Sequence, residues 1–416
     1  MLKISRREFI ASTGTIVGLA SHEQWMFADN PMTLPITGRA DAKQQPLDDL
    51  MTGFLTKHQL PGASLAVGRA GRLLYARGFG WADIEAKKPV QPDSLLRLAS
   101  ISKPITAIAV MQAIEQGRLK LDAPVLSLLR HVTDEPVDPR WRDITIQHLL
   151  QHTGGWDREK SFDPMFRSVQ FAREMNVEPP AKPEHIIRAI LRKPLDFTPG
   201  DRYAYSNFGY CLLGRVLEAV DEMSYGDSVT RRVLNPLALK RIHLGRTLKK
   251  DVLADEVTYY GVTDATGPSV FPPQVGQPVP WPYGGWHLEA MDAHGGWIGS
   301  APDLVRLAMS LEPHAMPSLL APDSLTTMWS PRPAWREWTR TASPTRSTMA
   351  AAGPCVRSMR PTRRLTCGTP ARWMAAQRCL CDVTMGSAGQ CCSTAVTAST
   401  LRAKSMTSRR AARSTR

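Results

Sequence analysis

The sequence predicts an α+β protein with enough core for two closely packed lobes, and three observations carry that expectation. The chain has 416 residues, 43% of them hydrophobic, enough for a large core. Two short apolar runs within residues 61–80 flank Arg69-Ala70-Gly71-Arg72, which is a β-hairpin signal. From Ser100 the pattern turns helical, with Ile101, Ile105, Ile108 and Ala109 at helical spacing.

The elements follow in chain order. Residues 31–46 read as linker, and Pro92-Asp93-Ser94 punctuates the loop after the hairpin. Pro104 is tolerable only in the first turn of a helix, which places Ser100 at the helix start; Gly117 marks the stop. Thr145 to Leu150 begins a second helix, ending near His152-Thr153-Gly154-Gly155. Residues 157–185 are polar and irregular, and Phe197-Thr198-Pro199-Gly200 is a turn. A helix is expected from about Phe208 to Val220, a long Pro- and Gly-rich loop over 262–290, and a short helix from Ala301 to Leu311. No internal repeat is visible.

Charge and cysteine are unevenly spread. The formal net charge is +14, yet 14 of the 52 basic residues and only Asp382 of the 38 acidic ones lie between Arg340 and Arg416. The body is therefore close to neutral and has no electrostatic footprint for a phosphate backbone, so no nucleic-acid partner is expected. The tail lacks aromatics interleaved with its charges, which argues against nucleic-acid stacking there too. Cys211 is alone in the body, whereas Cys355, Cys367, Cys379, Cys381, Cys391 and Cys392 are in the tail. No disulfide framework is suggested for the body, and the tail spacing matches no structural zinc pattern. His148 and His152 are four residues apart, but no third ligand follows at useful spacing. No metal and no cofactor are expected.

The N-terminus reads as an address. Arg6-Arg7, Phe9 and an apolar run from Ile10 to Ala20 occur in order and resemble a bacterial twin-arginine export signal. Residues 1–30 are expected to be that signal, with the twin-arginine export machinery as a partner and a periplasmic or secreted destination. The run is too short to span a bilayer permanently, and no other stretch is long enough, so no stable membrane span is expected after processing.

Two motifs carry chemistry. Ser100-Ile101-Ser102-Lys103 places Lys103 on the helical face of Ser100. A serine hydroxyl is a weak nucleophile until a base takes its proton, and a lysine desolvated in a cleft can share that work. The helix N-terminus favours negative charge developing on the oxygen. About a hundred residues on, Tyr205-Ser206-Asn207 lies after a turn and before an apolar helix. A tyrosine there can exchange a proton with the serine, and the Asn207 amide can hold a substrate amide.

Both motifs in this order resemble the serine β-lactamase-related family of class C β-lactamases, penicillin-binding proteins and family VIII-type esterases. The resemblance runs from about residue 45 to 330 and includes P-G-A-S-L-A-V, L-L-R-L-A-S-I-S-K, T-I-Q-H-L-L-Q-H-T-G-G, F-T-P-G, Y-S-N-F-G-Y and H-G-G-W-I-G-S-A-P-D-L. It implies a β-lactamase/transpeptidase-like fold, an antiparallel sheet flanked by helices plus a mostly helical lobe, with the domain over 47–338. It implies an acyl-enzyme on Ser100, proton handling by Lys103 and Tyr205, and substrate contact by Asn207. The substrate is expected to be a β-lactam, a small ester or a D-alanyl, peptidoglycan-like amide; a non-catalytic scaffold of the same fold is the alternative.

One family landmark is missing. A Lys- or His-Thr-Gly strand near the C-terminus normally supplies a backbone N–H to the oxyanion hole, with the serine's own N–H as the other donor. Here residues 339–416 are Arg-, Ser-, Thr-, Ala- and Cys-rich without periodicity. Reading the codons of Thr366 to Trp373 from their third bases permits L-W-H-T-G-S-L, and the following codons force Asp-Gly, Gly and Leu in strand-like text. The tail is therefore expected to be out of frame and disordered, and the chain as written impaired.

Overall fold

A computed structural model of the chain describes residues 34–129, 134–261, 266–312 and 314–330, and the backbone of 394–398. The expected export signal and most of the basic tail lie outside these residues. The described strands are β1 (Ile36–Thr37), β2 (Gly62–Arg69), β3 (Arg72–Asp83), β4 (Lys88–Pro89), β5 (Leu96–Arg97), β6 (Ile242–Leu244), β7 (Thr266–Pro268), β8 (Pro278–Pro280), β9 (Trp297–Gly299) and β10 (Thr394–Ala398). The helices are α1 (Gln45–His58), α2 (Ser102–Glu115), α3 (Val125–Leu128), α4 (Ile146–Leu150), α5 (Ser168–Glu174), α6 (Pro183–Leu191), α7 (Asn207–Asp221), α8 (Tyr225–Val229), α9 (Asp292–Gly295), α10 (Ala301–Met309) and α11 (Pro322–Trp329).

The predicted hairpin is present. β2 and β3 pair antiparallel, turning through Ala70 and Gly71, both at positive φ. β2 is buried along most of its length because α10 packs on it, with Ala66 against Ala301, Val305 and Met309. The approach is close: a Cβ at Gly68 would lie 2.4 Å from Val305 Cγ1, so only glycine fits without a shift. α1 packs against β3 and sends Asp48 beneath the sheet, where its carboxylate accepts from Arg77 Nη1 at 2.7 Å and from Tyr75 OH at 2.5 Å.

The helical lobe is built around α2. This helix is apolar on every side and almost wholly buried, from Ser102 through Ala113, as expected of a helix enclosed by its neighbours. Ile105 and Ile108 join Trp141, Phe208, Leu212 and Leu213 in one core, to which α7, α8 and α9 contribute. α7 starts one residue earlier than predicted, at Asn207, because Ser206 caps it by accepting from Gly209 N–H at 3.1 Å. A small sheet in the order β5-β9-β6 holds the strand that leads into α2.

The structure corrects three sequence expectations. The stretch 31–46, read as linker, supplies β1 on the edge of β3 and the first residues of α1; Arg77 Nε donates to Thr37 O at 3.1 Å and fixes it there. Residues 157–185, read as irregular, contain α5 and the start of α6. Both are too short to stand alone and are stabilised by burying Phe171, Ala172, Ile186, Ile187 and Ile190. The loop at 262–290 contains the β7–β8 pair. Its prolines are tolerated because a two-stranded ribbon has edges on both sides.

β10 lies in the tail, which the sequence predicts to be disordered; over these five residues that expectation is corrected, because the otherwise open edge of β2 offers main-chain partners. It runs parallel to β2, pairing Thr394 with Ala63 through Ala398 with Val67. The larger sheet therefore has the order β1-β3-β2-β10, with β4 also on β3, and the β2 edge facing away from β3 is hydrogen-bonded rather than open.

Candidate active site

Ser100 sits in a short 3-10 turn, Ala99–Ile101, between β5 and α2. Ala99 just before it has φ 45°, a left-handed conformation uncommon outside glycine. Such strain persists only where surrounding structure over-determines the backbone, and here one residue does so from both sides. Trp297 of β9 accepts from Leu98 N–H at 2.8 Å through its carbonyl and donates its own N–H to Ser102 Oγ at 3.2 Å. The turn is thus pinned immediately before and after Ser100.

Lys103 occupies the first turn of α2, as its spacing predicts, and is buried. Its Nζ donates to Ser100 Oγ at 3.2 Å, Asn207 Oδ1 at 2.7 Å and the His294 carbonyl at 2.9 Å. Among the described residues no carboxylate forms a hydrogen bond or ion pair with it. Burial therefore wins: desolvation pulls the ammonium down to about 7, with Arg158 acting in the same direction and the more distant Asp163 opposing. Near neutral pH the amine is divided between base and acid forms.

Tyr205 reaches the same point from the turn before α7. Its hydroxyl is 2.6 Å from Ser100 Oγ, and the Lys103 Nζ lies 4.7 Å from its ring centre. Burial raises the phenol to about 12, against the lowering effect of the Ser100 hydrogen bond. It is therefore a protonated donor at neutral pH. Asn207, the first residue of α7, has both ends of its amide engaged. Oδ1 accepts from Lys103, and Nδ2 donates to Asp163 Oδ2 at 2.6 Å.

Two residues that sequence reasoning left aside belong to this cluster. His152 stacks on Tyr205 with ring centres 4.7 Å apart, and its Nδ1 accepts from Ser206 N–H at 3.1 Å. Burial and the nearby Lys103 push its imidazolium down to about 3, so it is neutral with its proton on Nε2. Its i, i+4 relation to His148 had drawn attention only as a metal pattern. His148 is used differently, in the capping box of α4, where its Nδ1 accepts from Thr145 N–H at 3.3 Å. Asp163 caps the turn Pro164–Phe166 and was hidden in the stretch read as irregular. Its Asp-Pro sequence is a turn signal, but nothing local points it at Asn207. Arg158 lies 5.0 Å from the Tyr205 ring centre, and Trp156, Phe162 and Pro164 line the wall beyond Tyr205 and Asn207.

His294 lies in the single-turn helix α9, before β9. Its carbonyl holds Lys103, while its ring is buried and pushed well below the usual imidazolium range by desolvation. Chemically, the cluster offers a hydroxyl within reach of a partly deprotonated amine and a neutral phenol. That is the equipment for removing a proton from an attacking oxygen and returning it to a leaving group.

The β-lactamase family model matches residues 47–353. The chain belongs to the β-lactamase family. Within that family it is similar to the esterase EstB of Burkholderia gladioli, 34% identical over 197 residues, which cover 47% of this chain and 50% of EstB. It is also similar to a Dichelobacter nodosus protein named for fimbrial assembly (FimD, serogroup D), 30% identical over 276 residues, 65% of this chain and 62% of that one. The chain thus spans between half and two thirds of these relatives' length. Among solved structures, the octameric penicillin-binding protein homologue from Pyrococcus abyssi superposes with a TM-score of 0.51 at 26% identity, over 69% of this chain and 60% of that one. EstCE1, described as a hydrolase with promiscuous acyltransferase activity, shares the fold with a TM-score of 0.50 at 23% identity, over 68% of this chain and 75% of its own. The β-lactamase/transpeptidase-like α+β fold expected from the sequence is therefore the fold of this chain.

Proposed function

We propose that the chain is a serine hydrolase that forms an acyl-enzyme on Ser100. The observation that carries this reading is the placement of Ser100 Oγ between Tyr205 OH at 2.6 Å and Lys103 Nζ at 3.2 Å. In its free-base form Lys103 accepts the Ser100 proton as Oγ attacks the substrate carbonyl carbon. The tetrahedral adduct collapses as the leaving atom takes a proton relayed through Tyr205, leaving an ester on Oγ. Water then repeats the sequence in reverse roles and releases the acid. Asn207 lines the same wall as Tyr205, which supports substrate contact there, although both ends of its amide are already engaged.

The substrate class is a β-lactam, a small ester or a D-alanyl amide. EstB supports an ester and the penicillin-binding homologue a β-lactam, but the pocket loops decide, since one fold hosts many chemistries. Arg6-Arg7 with the apolar run after it supports export to the periplasm by the twin-arginine route. FimD's name favours a second reading, a non-catalytic scaffold of the same fold; against it stands the complete Ser100, Lys103 and Tyr205 constellation.

The absent Lys- or His-Thr-Gly motif and the codon pattern after residue 338 support a frame shift in the tail. Its loss would remove one oxyanion donor, and such a loss typically costs about a hundred- to thousandfold in rate. One experiment tests the activity and the frame together. The chain as given and a version with its frame restored after about residue 338 are labelled with a fluorophosphonate and with a fluorescent penicillin, then mapped by peptide. Ser100 should carry the label in both and turnover of an aryl ester or chromogenic cephalosporin should be confined to the restored chain. Labelling elsewhere, or equal labelling of Ser100→Ala, overturns the assignment; equal turnover overturns the frame shift.

A further inference from the structure

The geometry points to Asp163 as a positioning residue for the nucleophile: it fixes the Asn207 amide and, through that amide, the Lys103 amine. The inference rests on the serine-hydrolase reading of the site and goes beyond it, because Asp163 touches neither Ser100 nor Tyr205.

Asp163 is held from its own loop. Its Oδ1 accepts from Met165 N–H at 3.1 Å as the cap of the turn Pro164–Phe166. That leaves Oδ2 to accept from Asn207 Nδ2 at 2.6 Å. An amide side chain has a donor end and an acceptor end. With the donor end fastened to a carboxylate, Oδ1 must face the other way, and there it meets Lys103 Nζ at 2.7 Å. Lys103 is in turn 3.2 Å from Ser100 Oγ. Four side chains therefore form one hydrogen-bonded chain from a loop carboxylate to the Ser100 hydroxyl, with Lys103 donating to both of its neighbours. Without the carboxylate, only the ammonium form of Lys103, which has no acceptor, would hold the Asn207 amide in this sense; opposite the free base the amide could turn over and present its NH2.

The carboxylate also supplies charge. Lys103 lies among neutral acceptors, and the groups facing it from the surrounding elements are Arg158, His152, Tyr205, Tyr210 and His294. Of these Arg158 is the formal cation, and it disfavours the ammonium, whereas Asp163 favours it. Asp163 therefore sets how far burial can carry the amine toward its free base. Removing the charge alone should make Lys103 a free base at lower pH.

The test uses the full chain and the rate at which a fluorophosphonate labels Ser100 across the neutral pH range. In D163N one acceptor oxygen remains: turned to Asn207 it keeps that bond and gives up the Met165 N–H, and the charge is gone, so the midpoint of the pH-dependent rise should move to lower pH. In D163A both are lost, and the plateau rate should fall about ten- to a hundredfold, as small displacements of reacting groups do. If Asp163 acts through Asn207, D163A should lower the plateau no further in an Asn207→Ala background. A merely structural role would change thermal stability without moving the D163N midpoint. An unmoved midpoint in folded D163N overturns the inference, even if D163A fails to fold, provided that Ser100 of the wild-type chain is labelled. A wild-type chain that is not labelled at Ser100 overturns the hydrolase reading itself.

Discussion

Two buried charges at similar depth are treated in opposite ways. Beneath the larger sheet, the Arg77 guanidinium meets the Asp48 carboxylate at 2.7 Å, with Tyr75 on the other carboxylate oxygen. In the cleft, the Lys103 amine faces a hydroxyl, an amide oxygen and a backbone carbonyl, and its carboxylate is one side chain further off. Direct pairing makes the first cluster a fastening between α1 and β3. Indirect pairing makes the second one titratable, because burial is not fully offset and the amine falls to about 7. The comparison separates residues that hold the fold from residues proposed to move protons, and it can be broken by single substitutions.

The largest effect should come from Lys103→Ala. Removing the proposed base should slow covalent modification of Ser100 by about a hundred- to ten-thousandfold, measured as the fluorophosphonate labelling rate. Thermal stability should hold or rise, since a costly buried amine is gone. A loss of stability matching that of a core residue would mean that Lys103 is a fastening after all. Asp48→Ala should do the reverse. It leaves Arg77 buried without its carboxylate, a change worth about 3–5 kcal/mol or roughly 10 °C in thermal midpoint. Labelling of Ser100 per folded molecule should stay unchanged. A drop in that ratio would show that the sheet cluster reaches into the chemistry.

The smallest effect concerns pH. In the proposed mechanism acylation uses the free base of Lys103, so its rate should rise through a midpoint of about 7 and level off above it. Tyr205, held up to about 12, stays protonated across that range, and His152, pulled down to about 3, contributes no inflection near neutrality. A midpoint at the ordinary lysine value would place the amine in water rather than among its three acceptors.

Much of this site is legible in the sequence because its parts are local. Ser100 and Lys103 are joined by helical spacing, and Tyr205 and Asn207 by a turn that runs into a capped helix. The hairpin and α2 were legible for the same reason: each shows its own periodicity. Asp163 was not, since its partner is 44 residues away and its surroundings lack any apolar repeat. α5 and α6 escaped because burial against the lobe, rather than local propensity, makes them helical. His152 was visible as a residue but not as a role, since stacking on Tyr205 depends on how two loops meet. β10 pairs with a strand more than three hundred residues earlier in the chain, a distance at which a five-residue segment carries no readable signal.

The double attachment at Trp297 has a consequence for chimeras between relatives of this fold. Leu98 and Ser102 are both tied to residue 297, almost two hundred residues downstream. Any crossover between the two regions takes the nucleophile's turn from one parent and its anchor from the other. The anchor contributes only main-chain atoms, which every parent possesses whatever side chain stands at 297, and the carbonyl tie to Leu98 N–H is likewise main chain to main chain. The one side-chain group in the pair of ties is the Ser102 hydroxyl. Such hybrids should therefore keep the geometry around Ser100 as long as a hydroxyl stands at position 102, and a parent with an aliphatic residue there should be a poor donor of the turn even when its overall identity is high.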